Sequence, residues 1–278
     1  MFQVTVLPAL VISQVEVMYH VKRALFFREQ SSKMYSTVTF AASMLVAEMP
    51  YSIICAVAFF LPLYYMPGLQ HEASRAGYQF FMVLITELFS VTMGQCLAAL
   101  TPSIFISSQF DPFIMITFAL FCGVTIPAPQ MPEGWRVWLY QIDPFTRLIG
   151  GMVTTALHEL PVICAASELN AFTAPPGQTC GEYMQPFFAR GGAGYIVDNS
   201  TSDCQYCAYK VGDQFYIPLG LSFSNRWRDL GIFLGFLGSN IIILFVGVSD
   251  PPEYPGSWQQ THLFANTSQS RYLNYNKR

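Results

Sequence analysis

An all-α integral membrane protein is the fold class this sequence predicts, on three observations. Four apolar runs, Thr37–Met66, Gly77–Leu100, Gln109–Ile126 and Leu230–Val248, are each about as long as a bilayer is thick. A hydrocarbon core of about 30 Å takes about 20 helical residues at about 1.5 Å of rise each. Charge is scarce, at 11% of residues against 53% hydrophobic, less than half the roughly 25% of a soluble domain. The runs are also continuous, whereas a barrel strand alternates over about ten residues. Backbone amides in lipid must be satisfied internally, so such runs are helices.

In chain order, Phe2–Ile12 is apolar but too short to span, and it lacks the basic start and small-residue cleavage site of a secretory signal. It reads as the remnant of a helix, 1–12. Residues 13–36 read as a loop carrying Lys22, Arg23, Arg28 and Lys33 against Glu16 and Glu29. Basic loops stay on the cytosolic side, so 37–66 leads out, 77–100 back in and 109–126 out again. That places 127–229 outside, with nine acids and six bases, and 230–248 returns the chain to a tail ending Lys277-Arg278.

Within the outer region, 137–157 is apolar but interrupted by Gln141, Asp143-Pro144 and Arg147. Proline removes a helical hydrogen bond and disfavours helix in the residue before it. A pair of re-entrant helices is expected there. Asn170–Leu221, rich in Gly, Pro, Asn, Thr and Tyr, reads as a compact loop domain.

Cysteines divide by compartment. Cys55, Cys96 and Cys122 fall in spans, where a thiol packs as a small hydrophobe. Cys164, Cys180, Cys204 and Cys207 share the oxidising side and predict two disulfides. Three pairings exist; the nested one, Cys164–Cys207 with Cys180–Cys204, is preferred because the Cys204/Cys207 pair then anchors two strands of the loop. A zinc site at Cys204-x-x-Cys207 is the rival, and it lacks a nearby histidine. Asn199-Ser200-Thr201 is a glycosylation sequon on the outer side, whereas Asn266-Thr267-Ser268 falls on the cytosolic side and stays bare.

Polar residues inside spans carry functional hypotheses, because a charge at the bilayer centre costs at least about 2.5 kcal/mol. Glu48, before Pro50, is expected to pair with the basic 13–36 loop; Glu87, near Gln95, is expected to face other helices. An intramembrane enzyme or proton carrier built on Glu48 and Glu87 is the alternative. Gly94, Ala98 and Ala99 offer a small-residue packing face. Phe110, Phe113, Phe118 and Phe121 form a stripe that suits either ordinary packing or an apolar pocket. No phosphate-binding Gly-rich loop and no nucleophile elbow occurs, and His20, His71, His158 and His262 are spread over both sides. No catalytic residue, metal site or nucleic-acid partner is expected.

Arg28-Glu29-Gln30 with Tyr35, then Ala47-Glu48-Met49-Pro50-Tyr51, resemble the membrane domain of G-type ATP-binding-cassette transporters. Cys122-Gly-Val-Thr-Ile-Pro-Ala-Pro-Gln-Met-Pro132, Trp135-Arg136 and Trp138-Leu-Tyr-Gln-Ile-Asp-Pro-Phe-Thr-Arg147 are similar to the second membrane domain of fungal pleiotropic drug resistance pumps. Cys180-Gly-Glu-Tyr183, Asp203-Cys-Gln-Tyr-Cys207 and Lys210-Val-Gly-Asp213 extend the likeness. The resemblance implies a six-helix domain represented by four full spans, its third to sixth helices, plus a stub of the second. It implies partners: two nucleotide-binding domains using ATP and magnesium, a first membrane domain, the bilayer, and hydrophobic drugs or lipids for export. The plasma membrane is the implied location. The second and fifth helices line the cavity in this family, which turns Phe110, Phe113, Phe118 and Phe121 into cavity candidates, and Arg28, Glu29 and Tyr35 match the coupling segment. A truncated or mispredicted non-functional product is the alternative reading.

One block departs from the family pattern. Val248–Gln269, polar and Pro-rich, stands between Gly247 and Ser270-Arg271-Tyr272-Leu-Asn-Tyr275. Its 22 residues suit a retained intron, since Val-Ser can be encoded by a donor-like GTGAGT, Ala265-Asn266 by a branch-like GCTAAC and Gln269 by an acceptor-like CAG. A flexible cytosolic tail over 248–269 is the alternative, with 270–278 as the cytosolic C-terminus.

Overall fold

A computed structural model describes residues 2–30, 32–68 and 72–249. The proposed intron from Asp250 on, the 270–278 end, Asn266, His71 and His262 lie outside the described residues. The chain is mostly helical: α1 is Phe2–Gln30, α2 Thr37–Tyr65, α3 Ala73–Leu100, α4 Ile104–Phe121, α5 Glu133–Ile142 and α6 Pro144–Leu157. A small outer subdomain follows, with β1 (Asn170–Phe172), α7 (Cys180–Ala189), β2 (Tyr195–Ile196), β3 (Cys204–Cys207) and α8 (Asp213–Tyr216), before the final helix α9 (Arg226–Ser249). Helices α2, α3, α4 and α9 are long and apolar enough to cross a membrane.

The first correction concerns 1–36. No loop begins at Ser13; α1 runs unbroken to Gln30. Ile12, Val15, Tyr19 and Phe26 recur at helical spacing and are all buried, so packing carries the helix past the point where hydropathy falls. Arg23, expected in a loop, instead sits on this helix. Its guanidinium donates to the carbonyls of Ala98 (2.8 Å), Thr101 (3.0 Å) and Pro102 (3.2 Å). Ala98 lies in the last turn of α3, where carbonyls have no partner within the helix, and Thr101 and Pro102 follow it. A cation there also complements the negative end of the helix dipole.

Helix α3 is the hub, packed by α1, α2, α6 and α9. Lipid supplies no hydrophobic drive between helices, so small residues and buried hydrogen bonds do the joining. A Cβ on Gly94 would stand 3.0 Å from the Ile12 carbonyl oxygen and 3.3 Å from Val15 Cβ, so glycine sets how closely α1 approaches. Ala98 and Ala99 are buried beside it. Toward α9, Asn240 Nδ2 donates to Thr92 Oγ1 (3.4 Å) and the Cys96 thiol to the Asn240 carbonyl (2.8 Å). Toward α2, Gln95 Nε2 reaches the Met44 carbonyl at 3.4 Å. Gly94→Val should destabilise the α1–α3 contact by about 1–3 kcal/mol, the usual cost of overpacking; a thermal melt of the purified chain in detergent reads it, and an unchanged Tm would count against this packing.

The third apolar run shifts in register: the helix is Ile104–Phe121, not 109–126. Ser103 caps its start, accepting from the Ile106 amide. Beyond Phe121, Gly123 adopts φ +86°, and Pro127 follows. Apolar character continues to Ile126, but the backbone no longer does. At 137–157 the chain does form two helices, split at Asp143. The Asp143 carboxylate accepts from the Phe145 amide at 2.8 Å, capping α6.

The outer strands form an antiparallel sheet in the order β1-β3-β2. Cys204 and Cys207 stand at the two ends of the single central strand β3 rather than on two strands. Each carries one bridge: Cys164–Cys207 and Cys180–Cys204. Helix α7 begins with a Thr179/Glu182 capping box, each side chain accepting the other residue's amide.

Candidate functional site

Helices α1 and α4 pack together and against α3. The phenylalanine stripe of α4 divides. Phe110 and Phe113 are exposed, Phe113 at 70%, and point away from the bundle. Phe118 packs on Phe145 of α6, with ring centroids 5.4 Å apart, and Phe121 stacks on Trp135 of α5 at 5.6 Å. Phe118 and Phe121 therefore seat α6 and α5, leaving Phe110 and Phe113 as the outward-facing apolar groups.

Behind that face the α1–α4 seam is polar. Glu16, Ser107 and Asp111 are all buried. Glu87 is buried on α3 at 2% exposure, facing other helices. Glu48 is half-buried on α2, and no ion pair is found for it among the described residues. The expected pairing with the basic segment is corrected: that segment is helical, and its Arg23 is spent on α3 carbonyls. Glu48 and Glu87 are not brought together as a hydrogen-bonded pair.

At the inner end, the Tyr35 hydroxyl donates to Glu29 Oε2 at 2.6 Å across the α1–α2 turn. This bond, made to the neutral phenol, holds Tyr35 above the usual tyrosine range. Tyr35 also packs on Phe26, which stacks on Phe40 at 4.4 Å. The turn is thereby locked to both helices. Ser36 then caps α2 by accepting from the Thr39 amide.

The outer end holds a cluster that sequence spacing did not show. His158, at the end of α6, lies 2.9 Å from Asp213 Oδ1 on α8, and Tyr216 donates to the same oxygen. The Glu159 amide donates to Asp213 Oδ2 at 3.3 Å. The His158 ring stacks on Phe223 at 3.8 Å, and Arg226 lies over the other ring at 4.0 Å. Histidine, expected to be scattered, here joins α6, α8 and the approach to α9. No serine or cysteine nucleophile joins these bonds among the described residues, so the cluster braces the outer subdomain. Burial works against the Asp213 charge, but hydrogen bonds from Tyr216, His158 and the Glu159 amide prevail and hold it below the usual carboxylate range. A lowered folded value means the unfolded chain binds more protons between the two pKa values, so Asp213 stabilises above about pH 3.9 and loses its contribution as pH falls through its lower folded value. Asp213→Asn should therefore flatten the acid limb of a stability curve below about pH 4; an unaltered limb contradicts the assignment.

Asn199 is exposed, and its side-chain oxygen accepts from the Gly181 amide at 2.8 Å. Among the described residues no group of three or more His, Cys, Asp or Glu could hold a metal ion.

The chain is thus a polytopic helical domain that carries a disulfide-bearing subdomain. Residues 1–157 match the ABC-2 type transporter family, and the chain belongs to it. It is 65% identical over 248 residues, 89% of its length, to ABC multidrug transporter I of Aspergillus fumigatus. It is 35% identical over 226 residues to the ABC-type transporter cns4 of Cordyceps militaris and 34% over 256 to ABC transporter G family member 17 of Dictyostelium discoideum, 80% and 90% of this chain. The chain spans about 17% of the length of these relatives.

Proposed function

We propose that this chain is the membrane-spanning part of an ATP-driven exporter of hydrophobic drugs or lipids in the plasma membrane. The carrying observation is the 65% identity, across nearly the whole chain, to a protein named as a multidrug transporter. Nucleotide-binding domains act on the inner end, where Arg28, Glu29 and Tyr35 stand. The bonds described above give the push a route. Tyr35 and Glu29 tie the α1–α2 turn to α1, Phe26 stacks on Phe40 of α2, and Arg23 ties α1 to Thr101 and Pro102 at the α3–α4 junction. A displacement of the turn therefore reaches α4 without bending any helix. Phe110 and Phe113 then present apolar surface to a cavity shared with a first membrane domain. Such a cavity selects by shape and apolar area, which suits chemically varied substrates.

A chimera tests this reading. The matching 248-residue segment of ABC multidrug transporter I is replaced by this chain and expressed in drug-sensitive yeast. Export of a hydrophobic dye, with dye-stimulated ATPase in purified membranes, is expected. A chimera that reaches the surface and hydrolyses ATP yet exports nothing would contradict it.

A further inference from the structure

The outer junction of α6 and α9 encloses a cavity of about 140 Å³ lined by Arg147, Arg228, Asp229, Tyr140, Asn225 and Ser222 among others. That is ample beside the roughly 10–15 Å³ that admits one water. Arg147 Nη1 lies 3.4 Å from Asp229 Oδ1, and Arg228 Nη2 lies 3.2 Å from the same oxygen. One carboxylate thus answers two guanidiniums, leaving one positive charge in excess. The buried Nε of Arg147 has no hydrogen-bond partner among the described residues, so donor capacity is unused as well.

The surroundings fix the depth. Trp227 stands in the first turn of α9, next in sequence to the lining residue Arg228, and Trp135 and Trp138 lie on α5; all three are exposed. Tryptophan is enriched at headgroup level in membrane proteins. A cavity with one surplus positive charge, free guanidinium donors and neutral amide and hydroxyl groups, held at that level, matches a singly charged phosphodiester. Planar guanidinium forks suit phosphate oxygens better than any other side chain. The Asp229 carboxylate does not repel such a group decisively, since its Oδ1 is already covered by both arginines.

We propose that this α6–α9 cavity binds a phosphate monoanion, with Arg147 and Arg228 as its donors. A phospholipid headgroup and free inorganic phosphate share that chemistry, and the experiment separates them. The purified chain and its Arg228→Gln variant are compared in detergent by native mass spectrometry with added phosphatidylglycerol, with headless diacylglycerol as the acyl-chain control. A second arm measures inorganic phosphate by equilibrium dialysis. Arg228 is 56% exposed, so the variant folds, and Arg228→Lys keeps the charge. The expected result is about tenfold weaker phosphatidylglycerol binding in Arg228→Gln, the loss of one charge-assisted bond, with partial recovery in Arg228→Lys and no change for diacylglycerol. The same Arg228 dependence seen only for inorganic phosphate also supports the site and assigns its source as the free ion. Equal binding by wild type and Arg228→Gln in both arms overturns the proposal.

Discussion

Cys180→Ser or Cys204→Ser should unfold the outer subdomain while leaving the spanning helices in place. The core of that subdomain is very small: Cys180, Cys204 and Ala174 are buried together, with Phe172 and Ile196 half-buried against them. Two of its three buried members are the bridged cysteines themselves. A segment this short cannot bury enough apolar surface to offset its chain entropy, and covalent closure makes up the difference. The bridge spans a sequence separation of 24, for which loop closure contributes about 3 kcal/mol. The loss is therefore comparable to everything else holding the subdomain. Limited proteolysis of the purified variant should cut rapidly between residues 160 and 212, with the α1–α4 fragment persisting. Cleavage no faster than in wild type would show that packing alone suffices.

Asp229→Ala should destabilise the bundle by about 3–5 kcal/mol, the usual penalty for leaving a buried charge without its partner. Asp229 and Arg147 side chains are 10% and 13% exposed, and their contact joins α9 to α6. Removing the carboxylate leaves two guanidiniums without their shared counter-charge. Gly150 stands against this contact: a Cβ there would lie 3.3 Å from Asp229 Oδ2, so α6 has come as close as glycine permits. Replacing both charges, Arg147→Met with Asp229→Leu, should recover most of the loss, because apolar residues of similar volume often substitute for a buried pair without cost. Thermal melts of the two variants beside wild type measure the loss and its recovery. A single variant as stable as wild type would mean that water already screens the pair.

Much of this architecture could be read from the sequence, because bilayer physics acts on short windows. Continuous apolar runs required helices, Asp143-Pro144 marked the break between α5 and α6, and Glu87 was too costly to leave in lipid. Where tertiary contacts decide, local reading fell short. Lys22, Arg23 and Arg28 suggested a loop, yet Arg23 extends from a helix to carbonyls more than 70 residues away in sequence. The α4 boundaries depend on the Ser103 cap and the left-handed Gly123, which an apolar run conceals. His158 and Asp213 are 55 residues apart, with no spacing rule to pair them. The phenylalanine stripe was visible as a helical face, but not its division, since only α5 and α6 reveal which rings they cover.

The central claim, that the exposed face of α4 borders a drug path, is tested most directly at Phe113. A Phe113→Cys variant of the chimera is made with exposed Cys55 replaced by serine; Cys96 and Cys122 are buried. A water-soluble thiol reagent is applied from outside, with and without a hydrophobic substrate. The account predicts labelling that substrate slows by about tenfold or more, as competition at saturating ligand requires. A cysteine that resists the reagent in every state of the ATPase cycle would place this face in lipid and contradict the account.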